Sequence, residues 1–229
     1  MVCGSSRAPL IFFCRCPSNF TLDSEPPNKM TDLFQDKSVD WDAQAIPARI
    51  SQGVGAALLK NVRLSKDMLV MDFGAGTGLV AAHLAPHVKK IFAVDISQSM
   101  LDKLGEKEEL RGKVVTVCQN ILARPFEQTV DLVVSAMALH HVEDTDLLLT
   151  RFADQLEKGG RIALADLSQE DGTFHPAEVE GVYHHGFDVS DLTTRLESNG
   201  FANVEFFEAL TIEKEEKRFP VFLVTATKS

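Results

Sequence analysis

A regular alternation of short apolar strands and amphipathic helices is the feature that most constrains how this chain folds. From Met30 onward the apolar runs are short and unbroken, as in Leu132-Val133-Val134. Unbroken runs are typical of strands that helices cover on both faces, and strands separated by helices lie parallel in one sheet. The pattern therefore predicts an α/β domain with a doubly wound, mostly parallel sheet.

Seven strands are predicted, and helices separate most of them; no helix is predicted between the third and fourth strands or between the last two. The first helix has apolar residues at helical spacing from Ile46 to Val62 and is opened by Pro47. The predicted strands are 68–73, 91–95, 114–118, 130–135, 161–166, 203–211 and 219–227, and further helices are predicted at 79–86, from about 97, at 145–156 and at 189–199. The charged stretch 212–218 joins the last two strands directly, which predicts an antiparallel hairpin at the end of the sheet.

Residues 1–29 differ from the rest of the chain. They are rich in Ser, Pro and Cys without a lasting period, and we interpret them as a disordered or targeting-like extension of a domain at 30–229. Residues 1–22 carry two Arg and no acid, as a mitochondrial transit peptide does, but Pro9 and Pro17 interrupt any amphipathic helix there. A cytoplasmic location is expected, or a mitochondrial one if residues 1–22 act as a transit peptide. Met30 is an equally good start site.

Charge and hydropathy count against two classes of partner. The net charge of −10 at pH 7 repels phosphate backbones, which argues against nucleic acid as the main partner. The apolar runs are far shorter than the roughly 20 residues that cross a bilayer, so a soluble protein is expected. The four cysteines lack the paired spacing of zinc or redox sites and are expected to be unpaired thiols.

A glycine-rich loop, Gly74, Gly76 and Gly78, lies between the first predicted strand and the helix that begins near Leu79. Glycine permits positive φ and close approach of a ligand, and a helix N-terminus offers N–H groups, so NAD and S-adenosylmethionine are both candidate ligands. The dinucleotide fingerprint G-x-G-x-x-G/A needs a small residue where this chain has Leu79. Asp95 ends the second strand 21 residues after Gly74, where a carboxylate can hold both ribose hydroxyls.

With these motifs the chain resembles the class I S-adenosylmethionine-dependent methyltransferases, from about Phe34 to its end. Residues 70–78 are similar to the first motif of that family, and residues 94–97 with Met100-Leu101 are similar to its second. The resemblance implies the Rossmann-like methyltransferase fold and S-adenosylmethionine as the cofactor, with the loop at the methionine part, Asp95 at the ribose and Ile96 beside the adenine. The cofactor-binding residues that it implies are Asp72, Gly74, Ala75, Gly76, Gly78, Asp95, Ile96, Met100, Asn120 and Ile121.

Within this class the chain is similar to small-molecule enzymes such as the ubiquinone/menaquinone-biosynthesis methyltransferases. Residues 34–42 are similar to their cofactor-capping segment, and residues 139–142 and 156–160 to their later signatures. The resemblance implies a small-molecule acceptor that is aromatic or quinone-like. Methylation of a protein side chain, a catalytically inactive cofactor-binding regulatory protein and, more distantly, an NAD-dependent oxidoreductase stay open as alternatives.

Three histidines are the candidate catalytic residues. In a doubly wound fold the acceptor lies beyond the carboxyl ends of the strands. His140 and His141 closely follow the fourth strand, and at most one of these neighbours is expected to face the acceptor. His184 lies in residues 183–187, the expected substrate contact within the long loop 167–188. A hydrogen-bonded structural role is the alternative for His140 and His141. An ordinary surface loop is the alternative for residues 183–187.

No metal is expected. No HExxH or other paired ligand spacing is present. The residues that could supply ligands are His140, His141, Glu143, Asp166, His175, His184 and His185. Cation-assisted catechol methyltransferases place an acid at the end of strand four, where this chain has Ser135-Ala136.

Overall fold

A seven-stranded sheet organises the part of the chain that the structure describes. The structure is a computed structural model that describes residue 35, residues 37–176 and residues 178–229, so the predicted extension 1–29 lies outside the described residues and stays a prediction. The sheet has the order β3-β2-β1-β4-β5-β7-β6. Its strands are β1 (Leu69–Phe73), β2 (Lys90–Asp95), β3 (Val114–Cys118), β4 (Val130–Ala136), β5 (Leu156–Leu167), β6 (Phe201–Lys214) and β7 (Lys217–Lys228).

β1 lies at the centre of the parallel part of the sheet. It pairs in parallel with β2 on one side and with β4 on the other, so that Val70 lies between Ile91 and Leu132. From β1 the chain winds outward through β2 to β3 and then returns to β4 and β5 on the opposite side. The predicted doubly wound sheet is confirmed.

Helices cover both faces of this sheet. Successive residues of a strand point to opposite faces, and accordingly Val70 and Met71 of β1 lie in two different buried clusters. Leu58 and Leu84 pack in the cluster that contains Val70, and Phe152 packs in the one that contains Met71. Burial of each side chain of this size stabilises the folded state by about 1.5–3 kcal/mol. The helices are α1 (Ala45–Asn61), α2 (Leu79–Leu84), α3 (Gln98–Gly105), α4 (Thr145–Gln155) and α5 (Val189–Ser198).

The C-terminal hairpin is present, but its connection is much shorter than predicted. β7 pairs antiparallel with both β5 and β6, and Lys214 lies opposite Lys217 at the end of the hairpin. Only Glu215 and Glu216 form the turn, with φ of 51° and 62°. The predicted connector 212–218 was wrong. Two-residue turns of this kind usually contain Asn or Gly, which tolerate positive φ, and this turn contains neither.

β5 also begins earlier than predicted. α4 ends at Gln155 and the strand starts at once with Leu156, which pairs with Val130 before a shift of register. The prediction placed the helix as far as residue 156 and the strand at 161–166. The region between them is thus extended rather than a loop.

None of the helices in the described ranges combines the length and the apolar character needed to cross a membrane.

The loops that follow β1, β2, β4 and β5 leave the sheet at one edge, because parallel strands all end on the same side. That edge is where the candidate residues for chemistry meet.

The hairpin turn provides a test of the fold. Replacing Glu215 by Asn and Glu216 by Gly should raise the free energy of unfolding by about 1 kcal/mol, because these residues adopt positive φ with less strain. Denaturant titration of the two proteins measures the difference. As a control, Glu213→Gly within β6 should lower the free energy by about 0.5–1 kcal/mol. A double variant less stable than the original would contradict the turn geometry.

Candidate functional site

One cavity of about 850 Å³ lies at the carboxyl ends of β1, β2 and β4. This is the point where the strand order reverses, and there the loops from adjacent strands diverge and leave a crevice. Its walls come from the glycine-rich loop after β1, from the end of β2, from the turn after β4 and from the beginning of α1. The first part of the loop 168–188 and Lys214 of β6 complete it.

The backbone of the glycine-rich loop requires glycine at two places. Gly74 has a φ of +67°, and a Cβ added to it would lie 2.4 Å from the Cβ of Ala138. Gly78 has a φ of +81° and precedes α2, and its Cβ would lie 2.7 Å from Cγ of Leu104. A side chain at either position would push neighbouring segments apart, so the loop is a close-packed cradle at the cavity wall.

Asp95 connects this loop to the end of β2. Its Oδ2 accepts a hydrogen bond of 2.8 Å from the backbone N–H of Gly76, and its Oδ1 accepts one of 2.9 Å from Ser97. Both contacts orient the carboxylate at the cavity edge, and a carboxylate oxygen can accept more than one hydrogen bond. The arrangement can therefore receive two neighbouring hydroxyl groups.

Asp72 is a buried carboxyl group whose environment is unusual. It is only 1% exposed, and its Oδ2 has no hydrogen-bond partner among the described residues. Burial, together with the nearby charge of Asp95, raises the pKa of Asp72 from 3.8 to about 7. A buried polar atom normally has a partner, so this oxygen at the cavity wall fits a ligand that brings a donor or a positive charge. The sulfonium and ammonium groups of S-adenosylmethionine meet that requirement.

Seven of the ten predicted cofactor residues line the cavity: Asp72, Gly74, Ala75, Asp95, Ile96, Met100 and Asn120. The other three do not. Gly76 instead donates its N–H to Asp95, Gly78 begins α2, and Ile121 is buried among the core residues beneath. Oδ1 of Asn120 accepts a hydrogen bond from the backbone of Leu122, which orders the turn after β3.

A short N-terminal segment lies against the glycine-rich loop. Oδ1 of Asp42 accepts a hydrogen bond of 2.5 Å from the Thr77 hydroxyl, and its Oδ2 lies 2.6 Å from Nζ of Lys107. Trp41 and Gln44 beside it line the cavity, as do Ile46 and later residues of α1. Trp41 and Asp42, at the end of the predicted capping segment 34–42, thus lie at the cavity and against the glycine-rich loop.

Three histidines meet at the other end of the cavity. His140 is 1% exposed, and its Nδ1 lies 2.7 Å from Oδ1 of the buried Asp166. Nδ1 of His141 lies 2.7 Å from the carbonyl oxygen of Gly181. Nε2 of His175 lies 3.1 Å from Nε2 of His140. We call His140, His141 and His175 the histidine cluster; all three line the cavity.

The structure differs from the expectation that at most one of the two adjacent histidines faces the acceptor. Both line the cavity, with ring centroids 4.2 Å apart. The short 3-10 turn Leu139–His141 and the separate acceptors Asp166 and Gly181 hold the two rings on the same side.

His184 is not brought to the cavity. Its Nε2 lies 2.9 Å from the carbonyl oxygen of Val142, and its ring packs against Phe187 at a centroid distance of 5.3 Å. Of the predicted contact stretch 183–187, only Tyr183 lines the cavity. The loop pairs with Ser168 and turns Phe187 into the core, which directs the other side chains away.

Several cavity residues were not singled out from the sequence. Phe174 and Lys214 line the cavity near His175, and Nζ of Lys214 donates a hydrogen bond of 2.8 Å to the carbonyl of Phe174. Asp166, which the sequence offered only as a possible metal ligand, does not line the cavity but orients His140 from near the end of β5. Nothing local marked Lys214, which reaches the site only through the hairpin.

Comparisons with known proteins agree with this geometry. Residues 71–164 match the family model described as a methyltransferase domain. An uncharacterized methyltransferase of Schizosaccharomyces pombe is 32% identical over 155 residues, which cover 60% of this chain and 55% of that protein. The chain therefore spans about half the length of this relative.

Solved structures show the same fold at low sequence identity. N-methyltransferase NodS from Bradyrhizobium japonicum, in complex with S-adenosyl-L-homocysteine, is 16% identical with a TM-score of 0.65, covering 86% of this chain and 94% of that one. Phosphoethanolamine N-methyltransferase 2 from Haemonchus contortus, in complex with S-adenosyl-L-methionine, is 16% identical with a TM-score of 0.64. The match covers 85% of this chain and 60% of that one. These structures confirm the predicted fold.

The pKa of Asp72 predicts how stability depends on pH in the cofactor-free protein. Between pH 3.8 and about 7 the folded state keeps a proton on Asp72 that the unfolded chain has lost, so stability from this group falls as the pH rises through that range. The Asp72→Asn variant has no carboxyl group at this position, so its stability lacks this dependence on pH. The free energy of unfolding of the variant minus that of the wild type should therefore increase by about 3 kcal/mol from pH 5 to pH 8.

Denaturant titrations at four pH values between 5 and 8 measure this difference. Asp67→Asn changes an exposed acid in the turn before β1 and should leave the difference nearly constant. Parallel pH profiles for wild type and Asp72→Asn would contradict the raised pKa of Asp72.

Proposed function

We propose that this chain, which carries a class I S-adenosylmethionine-dependent methyltransferase domain, methylates a small molecule that is aromatic or quinone-like. The observation that supports this most directly is that the glycine-rich loop and the histidine cluster line one continuous cavity. Its volume of about 850 Å³ lies in the upper part of the usual 300–1,000 Å³ range of small-ligand sites. A cofactor and a small acceptor can therefore occupy it together.

The cofactor end carries acidic groups and matches a cationic ligand. Asp72 and Asp95 place two carboxyl groups at this end, and Asp95 is oriented to accept hydrogen bonds from the ribose hydroxyls. We place the methionine part along Gly74 and Ala75, and the adenine between Ile96, Met100 and Asn120, as the resemblance implies. When bound, the cofactor supplies an activated methyl group for in-line displacement.

The acceptor end combines apolar walls with a few nitrogen groups. Ile50, Phe174 and Val179 provide apolar surface, and the half-exposed ring of Tyr183 lies at the rim. The histidine cluster and Lys214 supply the polar groups. Such a surface suits a flat, largely apolar molecule with an oxygen or sulfur atom that becomes more nucleophilic as it loses a proton.

His140 and His141 are the residues that we assign to the acceptor. Asp166 accepts the Nδ1–H of His140, so that Nε2 of the neutral ring carries a lone pair toward His175. His184, which contacts Val142 and Phe187 instead, is not included in this assignment.

A small-molecule acceptor is also in keeping with other properties of the chain. The net charge of −10 disfavours a nucleic acid. The solved phosphoethanolamine methyltransferase that shares this fold is itself named for a small acceptor. The site lies in a cavity rather than on an open surface, which favours a small acceptor over a protein side chain.

Removing the Asp95 carboxylate should weaken cofactor binding. We expect Asp95→Ala to raise the dissociation constant for S-adenosylmethionine at least tenfold in calorimetry, because the charged acceptor of the ribose hydroxyls is lost. Asp102→Ala, which removes an exposed acid on α3 outside the cavity, should leave the constant unchanged. Equal binding by wild type and Asp95→Ala would refute the placement of the ribose.

The acceptor class can be read from label transfer. Incubating the protein with cell extract and methyl-tritiated S-adenosylmethionine should put the label into solvent-extractable metabolites. Label in precipitated protein would instead indicate a side-chain methyltransferase. Cofactor binding without label in either fraction would indicate a protein that has lost catalysis. Metabolite profiling of the labelled fraction then identifies the acceptor.

A further inference from the structure

We propose that the histidine cluster binds a divalent transition-metal ion, with zinc as the best match. One ring nitrogen from each of His140, His141 and His175 lies within 4.8 Å of the other two. Nothing in the spacing of these residues along the chain indicates such a site, because His175 comes from a loop that follows a different strand.

The separation of the nitrogens is close to that of ligands on one metal. Nε2 of His140 and Nε2 of His175 are 3.1 Å apart. Two nitrogens bound tetrahedrally to zinc at about 2.0–2.1 Å lie about 3.4 Å from each other. A displacement of a few tenths of an ångström would therefore be enough for both rings to coordinate the same ion.

The groups behind the cluster orient the rings as metal-binding histidines require. Nδ1 of His140 donates to Asp166, and Nδ1 of His141 donates to the carbonyl of Gly181, each at 2.7 Å. These contacts place the proton of each neutral ring on Nδ1 and the lone pair on Nε2. Carboxylates and carbonyls behind ligating histidines play this role in metal sites, and they also raise the basicity of the ligand.

The third histidine is held by contacts of its own loop. The ring of the buried Phe174 packs edge-on against His175 at a centroid distance of 4.9 Å. Nζ of Lys214 donates to the carbonyl of Phe174. The backbone N–H of Tyr183 donates to the carbonyl of His140 at 2.9 Å, which ties the far part of the loop to the turn after β4. The three rings are thus already gathered in the folded chain, and the binding of an ion requires their nitrogens to adjust from separations of up to 4.8 Å.

The ligand set indicates the type of ion. Three imidazoles without a carboxylate in the set suit zinc and its transition-metal neighbours, and they do not suit magnesium or calcium, which prefer oxygen. Three protein ligands leave a fourth position open on zinc, as in catalytic sites. All three histidines line the cavity, so that position is accessible from the acceptor end.

The role of the ion rests on the proposed function. An acceptor hydroxyl or thiol binds at the fourth position and releases its proton to solvent, because the cation stabilises the resulting anion. A lone pair of that oxygen or sulfur then forms the bond to the methyl carbon. The bond from that carbon to the cofactor sulfur breaks, and its electron pair stays on the sulfur, which becomes neutral.

Metal binding is tested with the full chain, freed of metal by dialysis against a chelator and titrated with Zn²⁺ and with Co²⁺. We expect one equivalent of each ion to bind, and the Co²⁺ complex to show the intense visible absorption of a four-coordinate site. His175→Ala should weaken Zn²⁺ binding at least tenfold. His185→Ala changes an exposed histidine of the same loop outside the cavity and should bind as the wild type does.

Calorimetry with S-adenosylmethionine on the same samples separates this proposal from the proposed function. Retained cofactor binding shows that His175→Ala is folded, and His141→Ala serves as a second variant if it is not. Absence of stoichiometric binding to the wild type, equal binding by wild type and His175→Ala, or a weak six-coordinate Co²⁺ spectrum would each overturn the metal site. None of these results bears on cofactor binding or label transfer.

Discussion

The position of β1 between two parallel neighbours is the constraint on which the rest of this structure depends. Because the chain winds from β1 outward to β3 and then returns to β4, the loops on the two sides of the centre separate and open a crevice at the carboxyl edge. The buried side chains of β1 point alternately into two clusters, so helices are needed on both faces. The same arrangement that buries the core therefore creates the cavity.

Two buried carboxyl groups at this edge have opposite environments. Asp166 accepts four hydrogen bonds, from the backbone of Leu139, His140 and Leu167 and from Nδ1 of His140, so it is fully satisfied and orders the turn after β4. Asp72 has a buried oxygen with no partner among the described residues and a pKa raised to about 7. The first orders the turn that carries His140 and His141, whereas the second leaves a buried oxygen that a ligand with a donor or a positive charge would satisfy.

Seven of the ten residues predicted to bind the cofactor line the cavity, and their signals in the sequence are local. Glycines at positive φ, a strand-ending Asp95 and the apolar runs around them all act within short stretches of chain. The side of the cavity that holds the histidine cluster was predictable only in part, through His140 and His141, because its other residues are contributed by separate elements. Lys214 reaches it through the hairpin, His175 through the loop after β5, and His184 leaves it because the loop turns toward the core.

The sequence by itself determined the sheet and its helices and indicated the methyl donor, since hydrophobic periodicity and backbone requirements at glycine depend on near neighbours along the chain. Only the tertiary structure decided which histidines meet, that His140 and His141 face the same cavity and that Asp166 stands behind one of them. Side-chain direction in a turn is decided by which acceptors the surrounding fold places within reach, and those acceptors are distant in sequence.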